Sequence, residues 1–390
     1  MAFGCCGQQS DANFDGAEDG WLRSTRSKGD DVGMTGDPNV AVPRGAEDLD
    51  AAWLTTALAH VSGGATVTHV QKQSIGNGMV ADSVRLALTW DQPTDAPSSL
   101  VAKVPSAAET SRISAAATRT YLLEAAFYNE LADTLSVHRP HCYLSRFEEA
   151  TCNYVVLLED LAPAEAGDQI RGCTLAEAET VMIELASLHA PRWEDPTLDD
   201  LAWLDRPNPD AIAGVVMLGG MFFPGFMERY ADRLEPGVGE LATHFMSHLG
   251  DYLSVRPRPW TVVHGDFRLD NLLFGGPRVA VLDWQTVKYG PALSDVAYFI
   301  GSALLPEERR NHETTLVRDY HARLAATGVE MSWDNCWAGY RRYGYDGLLM
   351  AILASMLVAR TDRGDDMFMA MANRHGQQLI DLDSESVLQS

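Results

Sequence analysis

The stretch "TVVHGDFRLDNLLFGGPRVAVLDWQ", residues 261–285, constrains the fold more than any other part of the chain. On either side apolar residues recur with a helical period, around 236–254 before it and around 294–304, 306–326 and 332–359 after it. Inside it the pattern shortens. Val262 and Val263 precede a loop, Leu272 to Phe274 reads as a short strand, and Val279 to Leu282 reads as its hairpin partner. A small β island within a helical region must carry its polar residues at strand ends, and Asp266, Asn271 and Asp283 fall at neighbouring ends.

Upstream the period is different. "AEDLDAAWLTTALAHVSGG" places Leu49, Trp53, Leu54, Leu58 and Val61 on one helical stripe that Gly63 and Gly64 stop. "ATVTHVQ", "SVRLALTW" and "SLVAKV" then alternate as strands of an antiparallel meander, a helix is expected over about 115–135, and "YVVLLED" reads as a further strand. From Thr174 the chain turns mostly helical, opening with the capping box Thr174-x-x-Glu177. Residues 1–45 hold eight glycines and little periodicity, and are expected to form a disordered tail. The expected class is therefore α+β. Residues 46–160 form a small antiparallel β lobe with one helix after its first strands, and 161–380 form a larger, mostly helical lobe.

Charge narrows the partners. With 54 acidic against 30 basic residues the net charge is −24, which disfavours nucleic acid and anionic membrane surfaces. Six cysteines lack zinc-site spacing and no signal peptide is visible, so reduced thiols and a cytoplasmic location are expected. The apolar runs "GLLMAILASMLVA" and "AIAGVVMLGGMFFPGFM" are expected to fall short of a membrane span, the second because Gly219, Gly220 and Pro224 should interrupt it.

The island carries the chemistry. His264, Asp266 and Asn271 stand as H-x-D-x-x-x-x-N, and a further carboxylate, Asp283, follows twelve residues after Asn271. A carboxylate and a carboxamide oxygen are hard ligands that suit Mg²⁺ on phosphate oxygens, while a second carboxylate can accept a proton from an attacking hydroxyl. Turn-capping Asp and Asn residues are the bland alternative, and each residue taken singly fits it. The spacing and the strand context of the whole set favour the functional reading, that of phosphotransferases of the protein-kinase-like type.

With these residues in hand the chain resembles the aminoglycoside phosphotransferase superfamily, in particular its choline kinase and ecdysteroid kinase-like branch. "VVHGDFRLDNLLF", "VLDWQTVKYGPALSDVAYFI" and "ELASLHA" carry the resemblance, over about residues 65–365. It implies a two-lobed, protein-kinase-like fold that transfers the γ-phosphoryl of ATP to a hydroxyl of a small molecule. Asp266 would be the base, Asn271 and Asp283 would hold Mg²⁺, and Lys103 in "LVAKV", steadied by Glu124 with Glu130 as runner-up, would cradle the α- and β-phosphates. Gly76 and Gly78 in "SIGNGMVADSV" would cover the phosphates, although Ala81 replaces the third glycine of that pattern. Backbone near Leu158, Glu159 and Asp160 would face adenine. His264 is read as positioning the catalytic loop, His189 as a capping or packing histidine, Asp295 as a cap or buried anchor, and Arg268 as a phosphate or acceptor contact or a surface charge.

A small acceptor is favoured because "DWQTVKYGPALSD" leaves little room for a peptide-binding loop. The run at 211–227 reads either as a plain buried helix or as the lining of an apolar acceptor pocket, with Phe223 and Phe226 on its wall, and the second reading predicts an acceptor with an apolar body. The alternatives are a nucleotide-binding pseudokinase, an aminoglycoside or macrolide phosphotransferase, and a metal-dependent hydrolase; the last leaves Lys103 and Asn271 without a role.

Overall fold

The computed structural model describes residues 39–76, 80–358 and 360–388. They divide into two compact units, one containing Cys142–Glu159 and the chain up to Glu130, the other containing Leu131–His141 and the chain from Asp160 onward.

The first unit opens with helix α1 (Ala51–Ala57), capped by the Asp50 carboxylate accepting from the Trp53 backbone N–H. Strands β1 (Val67–Ile75), β2 (Ala81–Trp90), β3 (Ser99–Pro105), β4 (Cys142–Glu148) and β5 (Asn153–Glu159) form one antiparallel sheet in the order β1-β2-β3-β5-β4. Period-two patterning explains its faces: Val84, Leu86 and Leu88 of β2 are buried while Arg85 and Ala87 between them are not. They join Leu54, Leu58, Leu100, Val104, Val155 and Leu157 in one apolar cluster.

Val40 belongs to the same cluster, 3% exposed, and the Trp53 indole N–H donates to the carbonyl of Ala41. The tail expected over residues 1–45 is thus corrected at its end: residues 40 and 41 dock, because one apolar side chain and one carbonyl find partners on α1 and the sheet. The helix expected over 115–135 is also corrected. Helix α2 (Glu109–Thr118) stops where Arg119 adopts a left-handed conformation, φ 59°, and α3 (Thr120–Ala126) starts afresh before a π-helical turn at Phe127–Leu131.

The second unit holds helices α4 (Leu175–His189), α5 (Pro209–Tyr230), α6 (Val238–Ser247), α7 (Leu249–Ser254), α8 (Leu293–Ala303), α9 (Pro306–Ala326), α10 (Trp333–Leu357), α11 (Asp362–Asp381) and α12 (Glu385–Leu388). The capping box forms at α4, Thr174 and Glu177 each satisfying the other's backbone N–H. Between α7 and α8 lies the island: β7 (Trp260–Val263) pairs with β10 (Lys288–Pro291), and β8 (Leu272–Phe274) pairs with both β6 (Glu165–Ala166) and β9 (Ala280–Val281).

Helix α5 departs from expectation. Gly219, Gly220 and Pro224 do not interrupt it: the helix runs unbroken for 22 residues, capped by the Asn208 side chain. Gly219 is a packing point, since a Cβ there would stand 2.8 Å from Leu249 and Met246. The stretch Pro209–Arg233 is also long and apolar enough to cross a membrane by length and composition, with 11% of its apolar window buried. What it buries is one edge, where Phe226 and Tyr230 enter a cluster with Phe245, Tyr298, Ile352 and Met367. Phe226 is wholly buried, so it supports the fold and does not line a pocket.

Candidate active site

The segment that carries His264, Asp266 and Asn271 begins where β7 ends. Gly265 has φ 83°, and a Cβ at that position would lie 2.5 Å from the Thr286 carbonyl oxygen, so only glycine lets the chain turn there. Asp295, near the start of α8 and 1% exposed, anchors the turn. Its Oδ2 accepts the His264 backbone N–H at 2.6 Å and its Oδ1 accepts that of Gly265 at 2.9 Å. His189 Nε2 lies 3.3 Å from Oδ2, and the other ring nitrogen is 2.8 Å from the Tyr320 hydroxyl. Burial pushes the Asp295 carboxyl up, but these hydrogen bonds outweigh it and hold the group below the usual carboxylate range. Of the two roles open to Asp295, buried anchor is the one its geometry fits; the helix-capping position belongs to Ala292.

His264 ties the loop to the following hairpin. Its Nδ1 accepts the Asp266 backbone N–H, which leaves Nε2 as the protonated nitrogen, 2.8 Å from the Leu282 carbonyl. Asp266 itself is held at both oxygens. Oδ1 accepts the Tyr298 hydroxyl at 2.7 Å; Oδ2 accepts Arg268 Nε at 3.0 Å and Asn271 Nδ2 at 3.1 Å. Burial raises the Asp266 pKa, and the Arg268 guanidinium with the Tyr298 and Arg268 hydrogen bonds lowers it further than burial raises it. The group therefore stays a carboxylate throughout the neutral range. Arg268 is no surface charge: its side chain is 11% exposed and also reaches Asp270 at 2.6 Å.

The hairpin pairs Asn271 with the residue before Asp283. The Leu282 backbone N–H donates to the Asn271 carbonyl at 2.9 Å, extending the β8–β9 pairing by one step, and Asp283 follows directly. Asp283 has φ 65°, a left-handed conformation that Asp tolerates better than most residues and that persists where its surroundings enforce it. Trp284, next in sequence, is fully buried.

The oxygen donors fit Mg²⁺. Asn271 turns its Nδ2 to the Asp266 carbonyl and carboxylate, so the amide oxygen is the end that faces away. Among the described residues no group of three or more His, Cys, Asp or Glu is arranged to hold a metal. A site of one amide and one carboxylate suits an ion that keeps waters and binds through substrate phosphates.

In the first unit Lys103 on β3 reaches Glu124 on α3, Nζ to Oε1 2.5 Å, with side-chain exposures of 10% and 0%. Glu124, not Glu130, is the partner the structure supplies. Gly76 ends β1 with φ 70°, whereas Gly78 lies outside the described residues. Glu159 closes β5 as an exposed residue opposite Leu100.

Sequence reading missed several supporting groups. Gln169 accepts the Leu269 N–H and donates to the Ser302 carbonyl, so the segment before α4 is stitched to the loop that carries Asp266 and Asn271. Arg374 of α11 fixes the same segment through the carbonyls of Gln169 and Ile170. Tyr298 had a findable signal: it stands three residues after Asp295 on α8, hence on the same helical face.

A model of the phosphotransferase enzyme family matches residues 89–333. The chain belongs to that family. This phosphotransferase has the protein-kinase-like fold, as its similarity to solved kinases shows. Choline kinase from Cryptosporidium parvum matches with a TM-score of 0.52 at 12% identity, over 83% of this chain and 92% of that one. Ethanolamine kinase from Plasmodium vivax matches with a TM-score of 0.50 at 11% identity, over 78% and 82%. Among curated proteins, mouse acyl-CoA dehydrogenase family member 10 is 46% identical over 54 residues, 13% of this chain and 5% of that protein. The human family member 11 is 37% identical over 67 residues, 16% of this chain and 8% of that protein. The phosphotransferase thus matches only a small part of the length of these relatives.

Proposed function

We propose that this phosphotransferase moves the γ-phosphoryl of ATP to a hydroxyl of a small molecule with an apolar body. The observation that carries the reading is the Asp266 carboxylate, kept ionised and aimed by Arg268, Asn271 and Tyr298. In this reading Asp266 orients the acceptor hydroxyl and takes its proton as the phosphoryl group leaves ATP. Asn271 and Asp283 would hold Mg²⁺, which supplies charge neutralisation on the phosphate oxygens. Lys103, held by Glu124, would contact the α- and β-phosphates, with Gly76 and Gly78 over them and the backbone at Glu159 beside the adenine. His264 and Asp295 hold the loop in register without entering the reaction.

For the acceptor, α5 offers Met217 and Met221, 58% and 62% exposed, on a face of soft apolar side chains. The names of the curated relatives favour an acyl alcohol over a sterol-like one within that class. The test is a metabolite extract incubated with the protein and Mg²⁺-ATP, searched by mass spectrometry for compounds that gain one phosphoryl group. An apolar alcohol that gains it with wild type and not with Asp266→Asn supports the reading. Gain only on polycationic amino sugars, or none on any alcohol, overturns it.

A further inference from the structure

We infer that Asp266 Oδ1 is the oxygen that receives the acceptor's proton, and that Tyr298 is the positioning residue that aims it. The inference rests on the proposed role of Asp266 as base and adds the atom and its partner.

A carboxylate oxygen accepts two hydrogen bonds in its plane. Oδ2 of Asp266 has both, from Arg268 Nε and Asn271 Nδ2. Oδ1 has one, from the Tyr298 hydroxyl at 2.7 Å. The side chain remains 21% exposed, so an incoming hydroxyl can reach the carboxylate, and the open acceptor position is on Oδ1. In the transfer step the acceptor O–H bond breaks and its proton passes to Oδ1. The acceptor oxygen's electron pair forms the new bond to the γ-phosphorus, and the bond from that phosphorus to the bridging oxygen breaks, releasing ADP. Tyr298 donates to the same oxygen and fixes the rotation of the carboxylate about its Cβ–Cγ bond.

The tyrosine is itself held. Its ring packs on His375 of α11, centroids 5.5 Å apart, and His375 fits there because a Cβ on Gly347 would lie 2.1 Å from its Nε2. His375 is wholly buried, which pushes its pKa down to about 4 and keeps it neutral, so it brings shape and no charge to the back of Tyr298. Burial beside the Asp266 carboxylate raises the Tyr298 phenol well above its ordinary value, so the hydroxyl stays a donor.

The experiment is a double-mutant cycle on ADP release from Mg²⁺-ATP by the full chain, with water as the attacking hydroxyl so that no acceptor need be known. Tyr298→Phe should lower kcat about 10-fold to 100-fold, part of the contribution of a positioned base, with the KM for ATP within about twofold. In the Asp266→Asn background the same substitution should change kcat by less than about twofold, because Tyr298 acts only through Asp266. Placing p-aminophenylalanine at 298, which keeps a donor at the ring's tip, should restore most of the loss; a purely structural lesion would not be rescued by the donor. Equal losses in both backgrounds, or wild-type kcat for Tyr298→Phe, overturn the assignment. Wild-type kcat for Asp266→Asn alone removes the base reading instead.

Discussion

Each unit buries a charge, and the two do it differently. In the first, Lys103 and Glu124 meet across a strand and a helix 21 residues apart in sequence, and their contact exists only when α3 packs on the sheet. In the second, Asp266 is gripped by Arg268 and Asn271 within five residues and by Tyr298 from α8. The first is a tertiary contact between embedded ions; the second is a largely local constellation inside a loop that Asp295 pins. A local constellation can lose its chemistry without losing the fold, whereas a buried ion pair that loses one partner endangers the fold itself.

The largest effect expected is on rate. Asp266→Asn keeps the shape of the loop and should lower turnover by about 10² to 10⁴, with ATP affinity measured by calorimetry nearly unchanged. A collapse of ATP affinity would make Asp266 a metal ligand and erase the contrast drawn here. Next, Glu124→Ala removes the carboxylate that the buried Lys103 ammonium meets at 2.5 Å and should cost about 3–5 kcal/mol in denaturant unfolding. The paired change Lys103→Met with Glu124→Leu should recover most of that stability while leaving phosphoryl transfer abolished; recovery of both, or of neither, would break the comparison.

Asp295→Asn is intermediate, since an amide can accept from one side only and leaves one backbone N–H short of a partner, a loss of about 1–3 kcal/mol. The pH dependence follows from the sign of its shift. A carboxyl held below its unfolded value near about 3.9 adds stability above that value, and the contribution disappears as pH falls through the lower folded value. Acid unfolding curves of Asp295→Asn should accordingly lose part of the steep fall below about pH 4 expected of wild type. The smallest effect belongs to the edge of the first core: Val40→Ala should cost roughly 1–2 kcal/mol as a truncated buried side chain. No change in its thermal midpoint would return residues 40 and 41 to the tail.

How much of this was legible follows the same divide. The island could be read from sequence because its hairpin is local: the strands that carry Asn271 and Asp283 at their ends pair through Leu272 and Val281. Lys103 could be found as the lone charge in an apolar strand, and Glu124 by resemblance to a family. The break at Arg119 was not readable, because a left-handed arginine carries no compositional mark, and Gln169 was not, because its partners lie about a hundred residues away at Leu269 and Ser302. Helix α5 misled for a physical reason. Two glycines and a proline argue for interruption on propensity alone, yet Gly219 is the surface on which Leu249 and Met246 seat.

In the proposed mechanism Asn271 would also keep protons and cations apart. Its amide presents hydrogens to Asp266 on one side and an oxygen on the other. An aspartate there would set two carboxylates about 3 Å from each other, and such neighbours share one proton at the cost of a strongly raised pKa for one of them. The proton shared between them would already occupy the base that the acceptor needs. In that mechanism a single nitrogen in place of an oxygen would insulate the group that takes a proton from the groups suited to a metal.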